Sequence, residues 1–162
     1  MININTQQGE IKNLKFRKEG QGEDANVALD ISLSLTCEGK GILDTILGAD
    51  SADSFWRPGG ADVRFPYLAK CESIAKVRYC SVNIAGLTLE NCVLSKTTFI
   101  PKPNGFIDLT ANCSANDLSE HDLAAVKNLL RVPCSIAISG GDLVDAMSAD
   151  DDDQSDMLED EE

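Results

Sequence analysis

Residues 101–113 read Pro101-Lys102-Pro103-Asn104-Gly105-Phe106-Ile107-Asp108-Leu109-Thr110-Ala111-Asn112-Cys113. Asn104-Gly105 supplies the positive-φ residues of a tight turn, so the alternating segments on either side should pair as antiparallel strands. A helix is expected next, from Leu118 to Leu130, followed by a second alternating run, Cys134 to Ser139. Working outward, the first half of the chain echoes this plan. Ala28-Leu29-Asp30-Ile31-Ser32 matches Phe106-Ile107-Asp108-Leu109-Thr110 in character, and Cys113 then corresponds to Leu35. The echo reads either as two pseudo-repeats, residues 10–85 and 86–140, or as a chance likeness between two amphipathic strands.

The other segments fill in a β-rich plan. Ile2 and Ile4 alternate with Asn3 and Asn5, which suits the start of an edge strand. Leu14-Lys15-Phe16-Arg17 continues apolar in and basic out. Val27, Leu29, Ile31, Leu33 and Leu35 alternate with polar residues over the whole run, the cleanest half-buried strand in the chain. Ile42, Leu43, Ile46 and Leu47 have helical spacing and end at Gly48, a good residue for a helix C-terminus. Val63 to Tyr67 is extended, with Pro66 favouring an edge. From Ile74 to Ile84 the apolar set shifts from Val77 and Tyr79 to Cys80, Val82 and Ile84, the mark of a bulge, and Leu87 to Ile100 shifts likewise. In the second helix Asp117 is placed to cap and Glu120 to reach back. Leu123, Val126, Leu129 and Leu130 form the buried stripe and Pro133 ends the helix. The expected fold is α+β and β-rich, an antiparallel sheet or partly open barrel covered by two helices.

Charge divides the 162 residues unevenly. All 14 Lys and Arg precede residue 142, with 16 of the 27 acids, a balance of −2; the other 11 acids lie in residues 142–162. Domain organisation is therefore read as a globular body, 1–141, and a disordered acidic tail, 142–162. Met157 and Leu158 in that tail are spaced like a short docking motif for a protein partner. The first residues carry neither a basic nor an apolar leader region, and no apolar run reaches the roughly 20 residues that span a bilayer, so no membrane and a cytoplasmic location are expected. Of six cysteines, Cys37, Cys80, Cys92, Cys113 and Cys134 sit in strand-like runs. None is spaced Cys-x-x-Cys, and the one histidine, His121, has no cysteine near it, so packed thiols are expected and no metal or cofactor.

Nucleophile-elbow, zinc-protease and phosphate-loop patterns are absent, and the single histidine limits any triad, so no catalytic residue is assigned. Asp30 and Asp108 alternate with apolar neighbours and should face solvent. The stretch most like a binding site is Phe55-Trp56-Arg57 to Arg64-Phe65-Pro66-Tyr67, with aromatics and arginines around Gly59-Gly60. Such a loop suits base stacking with phosphate contact on single strands; alternatively Trp56 and Phe65 plug the open end of the sheet. Lys15, Arg17, Lys76 and Arg78 on solvent sides of strands would add a local basic face.

A β-rich body with an acidic C-terminus resembles phage and bacterial single-stranded-DNA-binding proteins. The segment order, with Arg64-Phe65-Pro66 after the first helix, is similar to small phage proteins associated with DNA recombination. The resemblance implies contact with single-stranded DNA and a tail that competes with DNA or recruits a partner; the residues read above for that contact are Lys15, Arg17, Trp56, Arg57, Arg64, Phe65, Lys76 and Arg78. Without a resemblance, the acid excess suits a decoy that mimics DNA towards a basic protein, and self-assembly into a homo-oligomer is a third class.

Overall fold

The computed structural model describes residues 1–22, 26–65 and 70–144. Pro66 and Tyr67, the acidic segment after Val144, and with it Met157 and Leu158, lie outside the described residues. Seven strands and two α-helices follow the chain: β1 (Ile2–Glu19), β2 (Asn26–Glu38), α1 (Lys40–Leu47), β3 (Cys71–Ser73), β4 (Lys76–Ile84), β5 (Leu87–Pro101), β6 (Phe106–Ala115), α2 (Glu120–Asn128) and β7 (Cys134–Val144). β7 thus runs three residues past the expected boundary at 141.

All strand pairs are antiparallel, in the order β3-β5-β4-β7-β1-β2-β6, and β6 pairs back onto β5. The sheet is therefore curled and partly ring-like, with β3 as a short flank on β5, and not a regular barrel. Bulges interrupt the ladders and let the sheet bend. One lies between Ile11 and Asn13, where Lys12 is the extra residue, and another between Ser95 and Thr98, with Lys96 at φ 48°. The shift of face read in residues 74–84 is a third: register slips between Val77 and Cys80, with Tyr79 at φ 61°.

The pairings have a two-fold pattern that supports the pseudo-repeat reading. Exchanging β1, β2, α1 and β4 with β5, β6, α2 and β7 turns the pairings of the ring into one another, with β2–β6 and β4–β7 each turned into itself. Leu33 pairs with Ala111 and Val82 with Ile138, so the pseudo-dyad passes through those two places. Both hairpins carry their bulge in the first strand.

Apolar residues of the alternating strands turn to one side and fill the curl. Leu29, Ile31, Leu33, Ile107, Leu109, Ile136 and Ile138 are all buried. Ile42, Leu43 and Ile46 of α1 join them, while Leu47 is left exposed. Gly9 lies where β1 is crowded on both sides: a Cβ there would sit 2.6 Å from Ile136 Cδ1 and 2.9 Å from the Ser34 carbonyl. Cys80, Cys92 and Cys113 are buried together as free thiols; burial raises Cys80 to about 11, and Cys37 likewise to about 11.

β1 is one continuous strand whose two halves pair on different sides, Ile2 to Gly9 with β7 and Gly9 to Glu19 with β2, so Ile2 and Ile4 have a strand neighbour on one side only. Two expectations need correction. The cap of α2 is Ser119, whose hydroxyl accepts from the Asp122 amide (3.1 Å) and donates to the Asp122 carboxylate (2.7 Å). Asp117 instead adopts φ 57° and accepts from the Asn26 side chain. The buried stripe of α2 is also narrower than expected. Val126 is fully buried, Leu123 and Leu129 pack partly, and Leu130 is exposed.

Candidate nucleic-acid interface

Because apolar residues of β2 and β6 turn inward, their alternate residues make an outward face of small polar side chains. Cross-strand register lines these up: Asn13, Ser32, Asn112 and Ser95 form one row over β1, β2, β6 and β5. In the next row Lys15 stands beside Asp30 and Asp30 beside Ser114.

Two carboxylates on this face are held in matching triads related by the pseudo-dyad. Arg17 donates to both oxygens of Asp30 (2.6 and 3.0 Å), and the Ser114 hydroxyl donates to the same carboxylate at 2.6 Å. On the other side Lys102 lies 3.1 Å from Asp108, which also accepts from the Thr36 hydroxyl at 2.7 Å. Asp30 and Asp108 thus belong to separate triads and do not meet as a carboxylate pair. The remaining Arg17 nitrogen binds Glu19 at 2.9 Å. Three of its five N–H donors are thus engaged by carboxylates, while its side chain still lines the cleft described next.

The Arg17 hydrogen bonds hold the Asp30 carboxyl below its ordinary value, against an opposing effect of burial; the Ser114 hydroxyl and the charges of Arg17 and Lys15 add to the lowering. A carboxyl lowered on folding contributes stability that is complete above the unfolded value of 3.8 and is lost as pH falls through the lower folded value. Both partners are partly exposed, so the contribution should not exceed about 1 kcal/mol. Wild type should therefore outlast Asp30→Asn in urea at pH 7, and the gap should shrink as pH falls below 3.8. A gap of constant size across that range would contradict the pairing.

Lysines mark the open part of the face. A cleft of about 340 Å³ is lined by Asn13, Lys15, Ser32, Ser95, Lys96 and Asn112 among others. A second, of about 450 Å³, is lined by Ser73, Ile74, Lys76, Ser95, Lys96 and Thr98. Sharing Ser95 and Lys96, the two make one groove with lysines from β1, β5 and β4. Lys15, Lys76 and Lys96 have no carboxylate within ion-pair distance among the described residues, whereas Glu72 at the rim is held by Lys70 at 2.7 Å. Arg78 is exposed but lines neither cleft; it stands opposite Asp142 of β7.

The aromatic loop goes elsewhere. Trp56 is 7% exposed, and its indole N–H donates to the Lys102 carbonyl at 2.7 Å. Phe55 stands edge-on to both Trp56 and Phe99. Trp56 therefore fills the end of the sheet, and its burial fits the plug reading and leaves no free face for a base. Phe65 does not plug; it is 59% exposed. Arg57 and Arg64 gather with Lys40 around a separate cleft beside Trp56. The binding residues read from the sequence thus fall in two places: Lys15 and Lys76 meet through Lys96, and Trp56, Arg57 and Arg64 form a second cluster.

Lys96 and the Ser95–Asn112–Ser32 row were missed from the sequence. One signal was available for Lys96: Leu94 and Phe99, both buried, are an odd number of residues apart, which an uninterrupted strand cannot accommodate on one face. His121 is exposed in the first turn of α2, and no group of three potential metal ligands occurs among the described residues. No helix among them is long and apolar enough to cross a membrane. Comparison with family models, with curated proteins and with solved structures returned no match for this chain.

Proposed function

We propose that the chain is a non-enzymatic accessory of DNA replication or recombination whose body contacts single-stranded DNA along the Lys15–Lys96–Lys76 groove. The observation that carries this reading is the convergence of three unpaired lysines from three strands onto a face of serine, threonine and asparagine. Lysine ammonium groups attract phosphate, and hydroxyl and amide groups donate to phosphate and sugar oxygens without reading sequence. The acidic segment acts as a competitor. Val144 pairs with Lys76, so the chain leaves β7 at the rim of the groove. The 18 residues beyond it, 10 of them acidic, reach at most about 60 Å, enough to lie along the lysines.

Fluorescence anisotropy of a labelled oligothymidylate tests the reading. Lys15→Gln/Lys76→Gln/Lys96→Gln should weaken binding about tenfold or more at low salt. It should also flatten the slope of log K against log salt by about 2, from roughly 0.7 per lost phosphate contact on a single strand. Lys127→Gln on α2 should change neither. Equal affinity and slope in wild type and the triple variant would remove the groove from the mechanism. If no form binds DNA and the intact chain captures a basic protein, the acidic segment is a DNA mimic instead.

A further inference from the structure

A second cleft, sharing no residue with the lysine groove, lies beside Trp56. We infer that the cleft framed by Lys40, Arg57, Arg64 and the Gly59–Gly60 turn binds a terminal phosphate group, of a nucleotide or of a nucleic-acid 5′ end. The inference does not rest on strand binding by the lysine groove.

Its frame is built by local backbone bonds. The Gly60 amide donates to the Arg57 carbonyl (2.9 Å), the Arg57 amide to the Asp62 carbonyl (2.9 Å) and the Arg64 amide to the Phe55 carbonyl (2.8 Å). Trp56 and Val63 pair between them. These bonds fold residues 55–64 into a small hairpin with an arginine on each arm. Arg64 is further fixed by its Nε, which donates to the Trp56 carbonyl at 2.7 Å and leaves its two terminal nitrogens for a ligand. Arg57 is exposed and has no ion pair among the described residues. Among the described residues the only carboxylate on the lining is Asp53, 3.6 Å from Lys40, with both side chains about 70% exposed, a pair that an incoming anion can share.

Three cations against one acid leave the cleft positive. Gly59 and Gly60, at φ 94° and 73°, present bare backbone with open space where side chains would stand. That allows a ligand close approach. Guanidinium groups suit the two or three oxygens of a phosphate monoester better than a diester, which offers fewer free oxygens. The volume, about 430 Å³, exceeds what a bare phosphate needs and falls in the range of small-ligand sites, and Pro58, exposed on the same lining, offers the attached group an apolar contact.

Titration calorimetry of the full chain with AMP, adenosine and inorganic phosphate tests the inference. AMP should bind and adenosine should not; inorganic phosphate should bind more weakly than AMP. Arg57→Ala, at an exposed side chain, should weaken AMP about tenfold, the loss of one charge-assisted contact, with an unchanged thermal melt. Lys40→Gln is a second variant that leaves the hairpin intact and should weaken AMP likewise. The same variants are then titrated with oligonucleotides carrying a 5′-phosphate or a 5′-hydroxyl. Preference for the phosphorylated end, lost in Arg57→Ala, supports the site and assigns it to strand termini; tighter binding of AMP supports the site and assigns it to free nucleotide. Adenosine binding as well as AMP, full affinity in both variants, or no binding of either phosphate compound by wild type would overturn the inference.

Discussion

Leu33→Ala should lower the stability of the body by about 2–5 kcal/mol, a large share of the roughly 5–15 kcal/mol that holds a domain together. Leu33 is fully buried at the pseudo-dyad, paired on one side with Ile11 and on the other with Ala111. Alanine opposite it leaves little nearby volume to collapse into the space that the lost side chain would vacate, so the cavity cost should add to the transfer cost. On the other face of the same strand, Asp30→Ala breaks a partly exposed ion pair and should cost far less. Urea melts of the two variants, read against wild type with the slope held in view, measure the difference. Equal losses would mean that both faces of β2 contribute alike, contrary to the burial pattern.

The second large effect concerns the acidic segment. Ending the chain at Val144 removes 10 acidic residues and no strand, and moves the formal charge from −13 to −3. Melting should hardly change. Affinity for a labelled single strand should rise most at low salt, where both self-competition and repulsion of the polyanion are strongest. The gap between intact and shortened chains should narrow towards 0.5 M salt, where the screening length is roughly 4–5 Å. Both forms lose phosphate contacts with salt, so the gap itself carries the test. Equal affinities at low salt would mean that the segment never visits the groove, and its role would lie with a protein partner.

Much of the fold was legible because it rests on two-residue alternation. β2 from Leu29 onward and β6 could be read directly, since each buried residue is followed by an outward polar one, and Asn104-Gly105 fixed where β5 turns into β6: Asn104 and Gly105 take φ 64° and 76°. The echo between residues 28–32 and 106–110 proved to join strands that pair with each other across the pseudo-dyad. Bulges were legible only where apolar residues changed face, as at Val77 to Cys80. Lys96 lies between Ser95 and Thr97, so its bulge shows only in the odd spacing of Leu94 and Phe99, and at Lys12 the extra residue follows buried Ile11 without a second apolar residue beside it to mark the slip. The helix cap was misread because Asp117 and Ser119 are both capable caps. Ser119 takes the role with Asp122 three residues on, while Asp117 turns to Asn26, 91 residues away in the chain.

The binding residues were legible as types and not as partners. Lys15 and Arg17 look alike in sequence, each pointing outward from β1. Only the register of β1 on β2 shows that Asp30 and Glu19 occupy the guanidinium of Arg17 and leave the ammonium of Lys15 open. Trp56 in a Gly-rich loop fits stacking and plugging equally well. The choice depends on a distant acceptor, the Lys102 carbonyl, which hairpin β5–β6 brings to its indole.

Lysine protection tests the central claim most directly. The chain, shortened after Val144, would be acetylated briefly with a water-soluble reagent with and without an oligothymidylate, and each lysine scored by mass spectrometry. Lys15, Lys76 and Lys96 should be protected together, while Lys12, Lys18 and Lys127 outside the groove keep their reactivity. Unchanged labelling of the three groove lysines at a concentration that saturates binding, or protection confined to lysines elsewhere, would contradict the account.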